Sequence, residues 1–186
     1  MVSLVETMMT ADSLRQPNEI RYHLGREEMI LRLQEMTAAG FSEYRPLAVE
    51  SLAQAFAGNL RIPIEKARPR AASSVDSSLS SGLSTPDQFL YDIRLGDGTV
   101  DERIGYLWLD VSETEHRCFI HDIYLHEGHR GKGWGRKTLE LLEAKMRERN
   151  IQRIGLHVWG DNVVARELYD KLGYRLIGSD MQKRLE

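Results

Sequence analysis

His129-Arg130-Gly131-Lys132-Gly133-Trp134-Gly135-Arg136 lies between a strand-like run, Cys118 to His126, and a helix-like run, Thr138 to Arg149. Glycines at a strand-to-helix switch let successive backbone N–H groups turn toward one point, and the new helix adds its positive dipole end there. Arg130, Lys132 and Arg136 bring three cations to the same turn. This is the chemistry of a site for a phosphate-bearing ligand, and a pyrophosphate fits it best. Two familiar phosphate motifs fail on these residues. The dinucleotide fingerprint G-x-G-x-x-G, begun at Gly131 and Gly133, meets Arg136 where its third glycine belongs. The nucleotide-triphosphate loop G-x-x-x-x-G-K-[ST] would need glycine at His126. What fits is R-x-x-G-x-G, carried by Arg130, Gly133 and Gly135. The bland alternative is an ordinary glycine-rich connection with solvated charges.

The flanking sequence reads as a mixed α/β chain. Upstream, Met29 to Met36 alternates as a strand. Thr37 to Asn59 carries Phe41, Tyr44, Leu47, Leu52, Ala55 and Phe56 at roughly helical spacing, and Gly58-Asn59 can end that helix. Pro63 suits the first turn of a second helix, and Pro69 argues that this helix is short or irregular. Ala71 to Ser84 is serine-rich and reads as a surface loop, the sharper alternative being a lid over an acceptor site. Strands follow at Gln88 to Leu95, Arg103 to Val111 and Cys118 to His126, joined by the short turns Gly96-Asp97-Gly98 and Ser112 to Glu115. Short turns imply an antiparallel meander. Downstream come the helix from Thr138, a strand at Gln152 to Trp159, a helix opened by Asp161-Asn162 and ended by Gly173, and a last strand from Tyr174 to Ile177. The expected order is β-α-α-β-β-β-α-β-α-β.

Length and composition set the outer bounds. A chain of 186 residues is expected to hold one domain over residues 27–186, with residues 1–26 a polar, peripheral extension. The net charge of −3 argues against a nucleic-acid binder with a broad basic surface. The one cysteine, Cys118, excludes an internal disulfide and a cysteine-based zinc site. His116, His121, His126 and His157 show no metal-ligand spacing, so no metal is expected. Glu6, Asp12 and Arg15 interrupt the N-terminal stretch, and no apolar run approaches membrane-spanning length. A cytoplasmic protein without membrane contact is the expectation.

The element order, with R-x-x-G-x-G after the fourth expected strand, resembles the GCN5-related N-acetyltransferases. The later pattern Asn162-x-x-Ala165-x-x-Leu168-Tyr169-x-x-x-Gly173-Tyr174 is similar to that family's closing signature. The resemblance runs from about Met29 to the C-terminus and is strongest from Ile120 to Tyr174. It implies an α/β (α+β) fold: a mixed, mostly antiparallel sheet of six or seven strands, flanked by helices and splayed between strands 4 and 5. It implies acetyl-CoA as co-substrate and transfer of its acetyl group to a primary amine through a tetrahedral intermediate. By position, Ile123 and Leu125 would pair with the pantetheine arm, and the Leu125 N–H would bind the thioester oxygen. The main chain of Arg130, Gly131, Lys132, Gly133, Trp134, Gly135 and Arg136 would hold the pyrophosphate, and Asn162 would touch pantetheine besides capping its helix. Tyr169 would be the general acid, although it also lies on an apolar helix stripe. His121 would be the general base, with Asp122 the next candidate, on the opposite face by simple alternation, and a water chain the third.

The acceptor implied is a small-molecule or peptide amine. The sequence does not name it. Glu43, Glu50, Asp76 and Asp87 are the carboxylates considered for attracting a cationic amine, and Tyr106, Trp108 and Trp159 the aromatics considered for the cleft wall. Homodimers are common in the family, and no residue here specifies one. A non-catalytic acyl-CoA-binding sensor or scaffold is the second reading, for which Tyr169 and His121 would be unnecessary.

Overall fold

The computed structural model describes residues 19–24, 27–183 and 185. Six strands form one sheet in chain order: β1 (Glu19–Leu24), β2 (Glu27–Glu35), β3 (Gln88–Gly96), β4 (Asp101–Ser112), β5 (Arg117–Leu125) and β6 (Arg153–Leu156). Neighbours run antiparallel except β5 and β6, which are parallel. Four helices flank the sheet: α1 (Ala38–Leu60), α2 (Ile64–Ser78), α3 (Trp134–Glu148) and α4 (Val163–Lys171). The α/β class, the mostly antiparallel sheet and the antiparallel meander expected from the sequence are all present. With β1 added at the front, the strands expected as fourth and fifth are β5 and β6.

Each face of the sheet has its own core. On one, Leu33, Ile93, Leu107, Leu109 and Ile120 meet Leu139, Leu142 and Met146 of α3. On the other, Leu90, Tyr106 and Trp108 meet Tyr44 and Ala48 of α1 and Val75 of α2. Tyr106 and Trp108 are therefore buried core residues and not an open cleft wall. The Trp108 indole donates to Gln88 Oε1 at 2.7 Å, which satisfies the one polar group it buries.

Three expectations are corrected. Glu19–Leu24, placed in a peripheral extension, is a strand paired with β2, and Ile20 and Tyr22 pack on the core. Two apolar residues in alternation are too short a signal to read. Residues 1–18, 25 and 26, also assigned to that extension, lie outside the described residues. The serine-rich segment begins as helix: α2 runs to Ser78 through Pro69, followed by a 3-10 turn at Gly82–Ser84. Ala67, Ala71 and Val75 recur every fourth residue and are buried, with Ala67 and Ala71 packed near Ala53 of α1. Serine costs a helix only tenths of a kcal/mol, so that buried stripe prevails. Arg45 further clamps α2 by donating to both oxygens of Asp76 at 2.6–2.9 Å. Finally, β6 stops at Leu156, and Tyr174 to Ile177 forms no strand; Leu176 and Ile177 are exposed.

Candidate active site

The parallel pairing of β5 with β6 begins at Arg117 and Arg153 and ends at Ile120 and Leu156. Beyond that point β5 continues to Leu125 with no partner on its β6 side. The sheet is thus split at one end, at the place the family resemblance implied. Main-chain direction in the split follows from the ladder. The His126 N–H donates to Ile104 O on β4 at 2.9 Å. Main-chain groups alternate sides along a strand, so those of Ile123 and Leu125 point the other way, into the split. The Leu125 carbonyl already accepts from Arg130 Nε at 2.7 Å.

At the end of β5 the chain makes a 3-10 turn, Glu127–His129, and enters α3 through the glycines. Gly131 and Gly133 have φ of 71° and 84°, conformations that other residues reach only with strain. A methyl group built on either would meet nothing within 4 Å, so their outer faces are open. The first α3 main-chain bond is Lys137 N–H to Gly133 O, which leaves the N–H groups of Trp134, Gly135 and Arg136 without intrahelical acceptors. The three cations do not converge as the sequence suggested. Arg130 turns back onto Leu125 and stacks 4.9 Å from the Tyr124 ring. Arg136 is bonded to Glu140 at 2.8 Å, and Lys132 is exposed. The Trp134 side chain is buried in the core, so only its main chain faces the turn. A Cβ on Gly135 would lie 3.4 Å from Leu168 and 3.7 Å from Leu125, so this position lets α3, α4 and β5 pack closely.

A register shift alters the middle of β5. Trp108 is opposite Asp122, yet Leu109 is opposite Ile120, which makes His121 the extra residue of a β-bulge. Simple alternation would send His121 and Asp122 to opposite faces; the bulge turns both toward α1. The His121 imidazole stacks on Trp108 with ring centres 4.5 Å apart, and burial lowers its pKa. Asp122 accepts from the Tyr44 hydroxyl of α1 at 2.9 Å. Burial pushes its carboxyl up to about 6, the Tyr44 hydrogen bond working the other way. Tyr169, half-buried on α4, has its phenol raised first by burial and then by the charge of Asp122. Asn162 is the α4 N-cap, its Oδ1 accepting from Ala165 N–H at 3.2 Å, which leaves its amide N–H₂ available.

Beside the split lies a pocket of about 350 Å³ lined by Gln54, Ala55 and Asn59 of α1 and by Trp159, Asp161 and Asn162. Sequence reading treated Asn59 and Asp161 as helix-boundary residues and Tyr44 as core. Only the tertiary packing of α1 over β5 and β6 gives them a place near the cleft. Of the carboxylates considered from sequence, Glu43, Glu50 and Asp76 are paired with Arg103, Arg68 and Arg45. Asp87 sits at a turn with φ of 62°. Among the described residues no group of three or more His, Cys, Asp or Glu is arranged to hold a metal ion, and no helix is long and apolar enough to cross a membrane.

Comparison with known proteins points the same way. Residues 63–174 match the Acetyltransferase (GNAT) family. An uncharacterised N-acetyltransferase of Bacillus subtilis, YdgE, is 28% identical over 84% of this chain and 99% of its own length. A second from the same bacterium, YycN, is 34% identical over 58% of this chain and 68% of its own. The crystal structure of YycN superposes with a TM-score of 0.78, covering 84% of this chain and 99% of that one. The PaiA N-acetyltransferase of Thermoplasma acidophilum, solved with coenzyme A, shares the fold at a TM-score of 0.57 and 19% identity, over 81% of this chain and 92% of that one. The chain belongs to the acetyltransferase (GNAT) family.

Proposed function

We propose that the protein is an N-acetyltransferase that uses acetyl-CoA to acetylate a primary amine. The observation that carries this reading is the split itself: β5 runs on past its last pair with β6 at Ile120, and Asp122, held by the Tyr44 hydroxyl, lies two residues beyond that pair. A coenzyme there finds matching groups. Its phosphates would meet the open glycine turn and the unpaired N–H groups at the start of α3. Its pantetheine arm would extend the sheet along Ile123 and Leu125, with the Asn162 amide at its side. When bound, acetyl-CoA supplies the activated acyl thioester.

The chain's own groups supply the proton handling. An amine must lose a proton to attack, and a carboxylate that titrates near 6 is ionised at pH 7 yet basic enough to share that proton. Of the two base candidates we favour Asp122, because the Tyr44 hydroxyl fixes its orientation through one carboxylate oxygen. The His121 ring, stacked on Trp108, is the alternative. The Leu125 N–H, aimed into the split, would stabilise negative charge on the acyl oxygen. Tyr169, kept protonated by its surroundings, would donate to the departing sulfur.

The sensor reading requires only the turn and the β5 edge. It gives no reason to bury Asp122 beneath a tyrosine. Titrating acetyl-CoA into the protein by calorimetry, then following free thiol with a panel of amines, separates the two. Binding with amine-dependent thiol release is the expected result. Binding without release by any amine would favour the sensor, and no binding would defeat both.

A further inference from the structure

We propose that the pocket between the end of α1 and the Trp159–Asn162 turn holds the remote, cationic end of an elongated amine acceptor. This rests on the acetyltransferase reading above and adds the shape and charge of the substrate.

Position comes first. Tyr44, which holds Asp122, and Ala55, which lines the pocket, are eleven residues apart on α1. Eleven residues are close to three full turns, so both lie on one side of the helix, separated by roughly 16 Å along its axis. On the sheet side, Trp159 follows β6 just past its last pairing with β5, as Asp122 follows Ile120. The pocket therefore flanks the split on the α1 side, within reach of a molecule whose reacting nitrogen is at Asp122.

Chemistry comes second. Asp161 is exposed, and among the described residues no cation pairs with it; Asn59 Nδ2 donates to one of its oxygens at 3.3 Å. This contrasts with the α1 and α2 carboxylates Glu43, Glu50 and Asp76, each taken by an arginine. Trp159 is fixed by edge contacts with Phe56 at 6.0 Å and His157 at 4.8 Å between ring centres. An indole beside a carboxylate without a counter-ion is a pairing that attracts a cation, the ring through its quadrupole and the carboxylate through charge. The Gln54 and Asn59 amides offer further acceptors for its N–H groups. A simple monoamine would engage Asp122 and leave this pocket unused.

The test compares 1,12-diaminododecane, long enough when extended to match the separation along α1, with dodecylamine, equal in chain length and different in the second charge. The wild-type protein is expected to bind the diamine at least tenfold more tightly by calorimetry, and to acetylate it with a correspondingly higher kcat/KM. In Asp161→Asn, and independently in Trp159→Leu, the diamine-to-monoamine ratio should fall toward one. A ratio near one in the wild type, or a ratio unchanged in both variants, would overturn the proposal. The calorimetric arm needs no turnover, so it decides the pocket's role even if no amine is acetylated. Failure of the transferase reading itself is read separately, from the acetyl-CoA titration of the unaltered protein.

Discussion

Replacing Asp122 by asparagine should make the protein more stable and much less active. Asparagine keeps the shape and an oxygen for the Tyr44 hydroxyl, and it removes only the buried charge. Burial raises the Asp122 pKa from 3.8 to about 6. A carboxyl whose pKa is higher folded than unfolded holds its proton more tightly in the folded state. Its ionisation therefore destabilises the fold progressively as pH rises from 3.8, and the loss is complete above about 6. A difference of about two pH units corresponds to about 3 kcal/mol at pH 8, an upper limit because the fold relaxes around a charge. For a chain of this size that is a rise of roughly 6–12 °C in Tm. Well below pH 3.8 the Asp122 carboxyl is protonated in both the folded and the unfolded state, so the advantage of the variant should be mostly gone by pH 4 and vanish below it. Turnover should fall by roughly 10²–10⁴, the usual contribution of a positioned base. Urea unfolding at pH 8 and pH 4, beside kcat/KM with a saturating acyl donor, measures both. A variant less stable than wild type at pH 8 would show that the charge is well solvated or well paired. A stabilised variant with undiminished turnover would leave the buried carboxyl real and dismiss it as the base.

Other outcomes follow from the same geometry. In the wild type, kcat/KM should rise with pH through about 6 as Asp122 ionises; His121→Gln should leave that limb in place, and its disappearance in this variant would reassign the base to His121. Tyr169→Phe should bind acetyl-CoA normally in calorimetry and turn over roughly 10–100-fold more slowly; equal turnover removes the phenol from the reaction. Gly133→Ala forces alanine to φ of 84°, so thermal unfolding should show a loss of about 1–2 kcal/mol, with weaker acetyl-CoA binding if the α3 entrance cradles phosphate. Gly105→Ala drives a methyl group into the Tyr124 main-chain oxygen and should destabilise the protein severely, a result that soluble expression and circular dichroism report before any assay.

The glycine turn and the start of α3 were legible from the chain because local rules write them. Gly131 and Gly133 are needed where φ is positive, α3 must leave N–H groups unpaired at its start, and a strand must precede the turn. Each follows from residues within a few positions of one another. The burial of Trp134 and the inward turn of Arg130 were less legible, since nothing in the motif says which side chains face the core. Residues 71–78 misled for a related reason. Serine content suggested a loop, while the alanines and valine at every fourth position needed α1 opposite them to count as a core stripe. On the acceptor side, Tyr44 and Asp122 are 78 positions apart, and Asn59 and Asp161 are 102 apart. No local pattern joins such pairs.

The bulge at His121 decides which way the carboxyl proposed as the base faces. If the same residues ran on from Ile120 without a bulge, strict alternation would put Asp122 on the α3 face, where an ionised carboxylate finds neither water nor donor, and would turn Ile123 away from that core. The extra residue moves the carboxyl beneath Tyr44 while Ile123 returns to the α3 core. It also falls within one residue of the last β5–β6 pair, so the twist a bulge adds acts where the strands part. Placement of the base and opening of the cleft would then share a single cause. Deleting His121 should restore alternation and test this directly. Deletion leaves Asp122 directly after Ile120, still on the α1 face beneath Tyr44, and removes only the added twist. Acetyl-CoA binding weakened beyond that of His121→Gln would show that the bulge opens the cleft, whereas deletion and substitution with equal effects would show that the bulge only accommodates an extra residue.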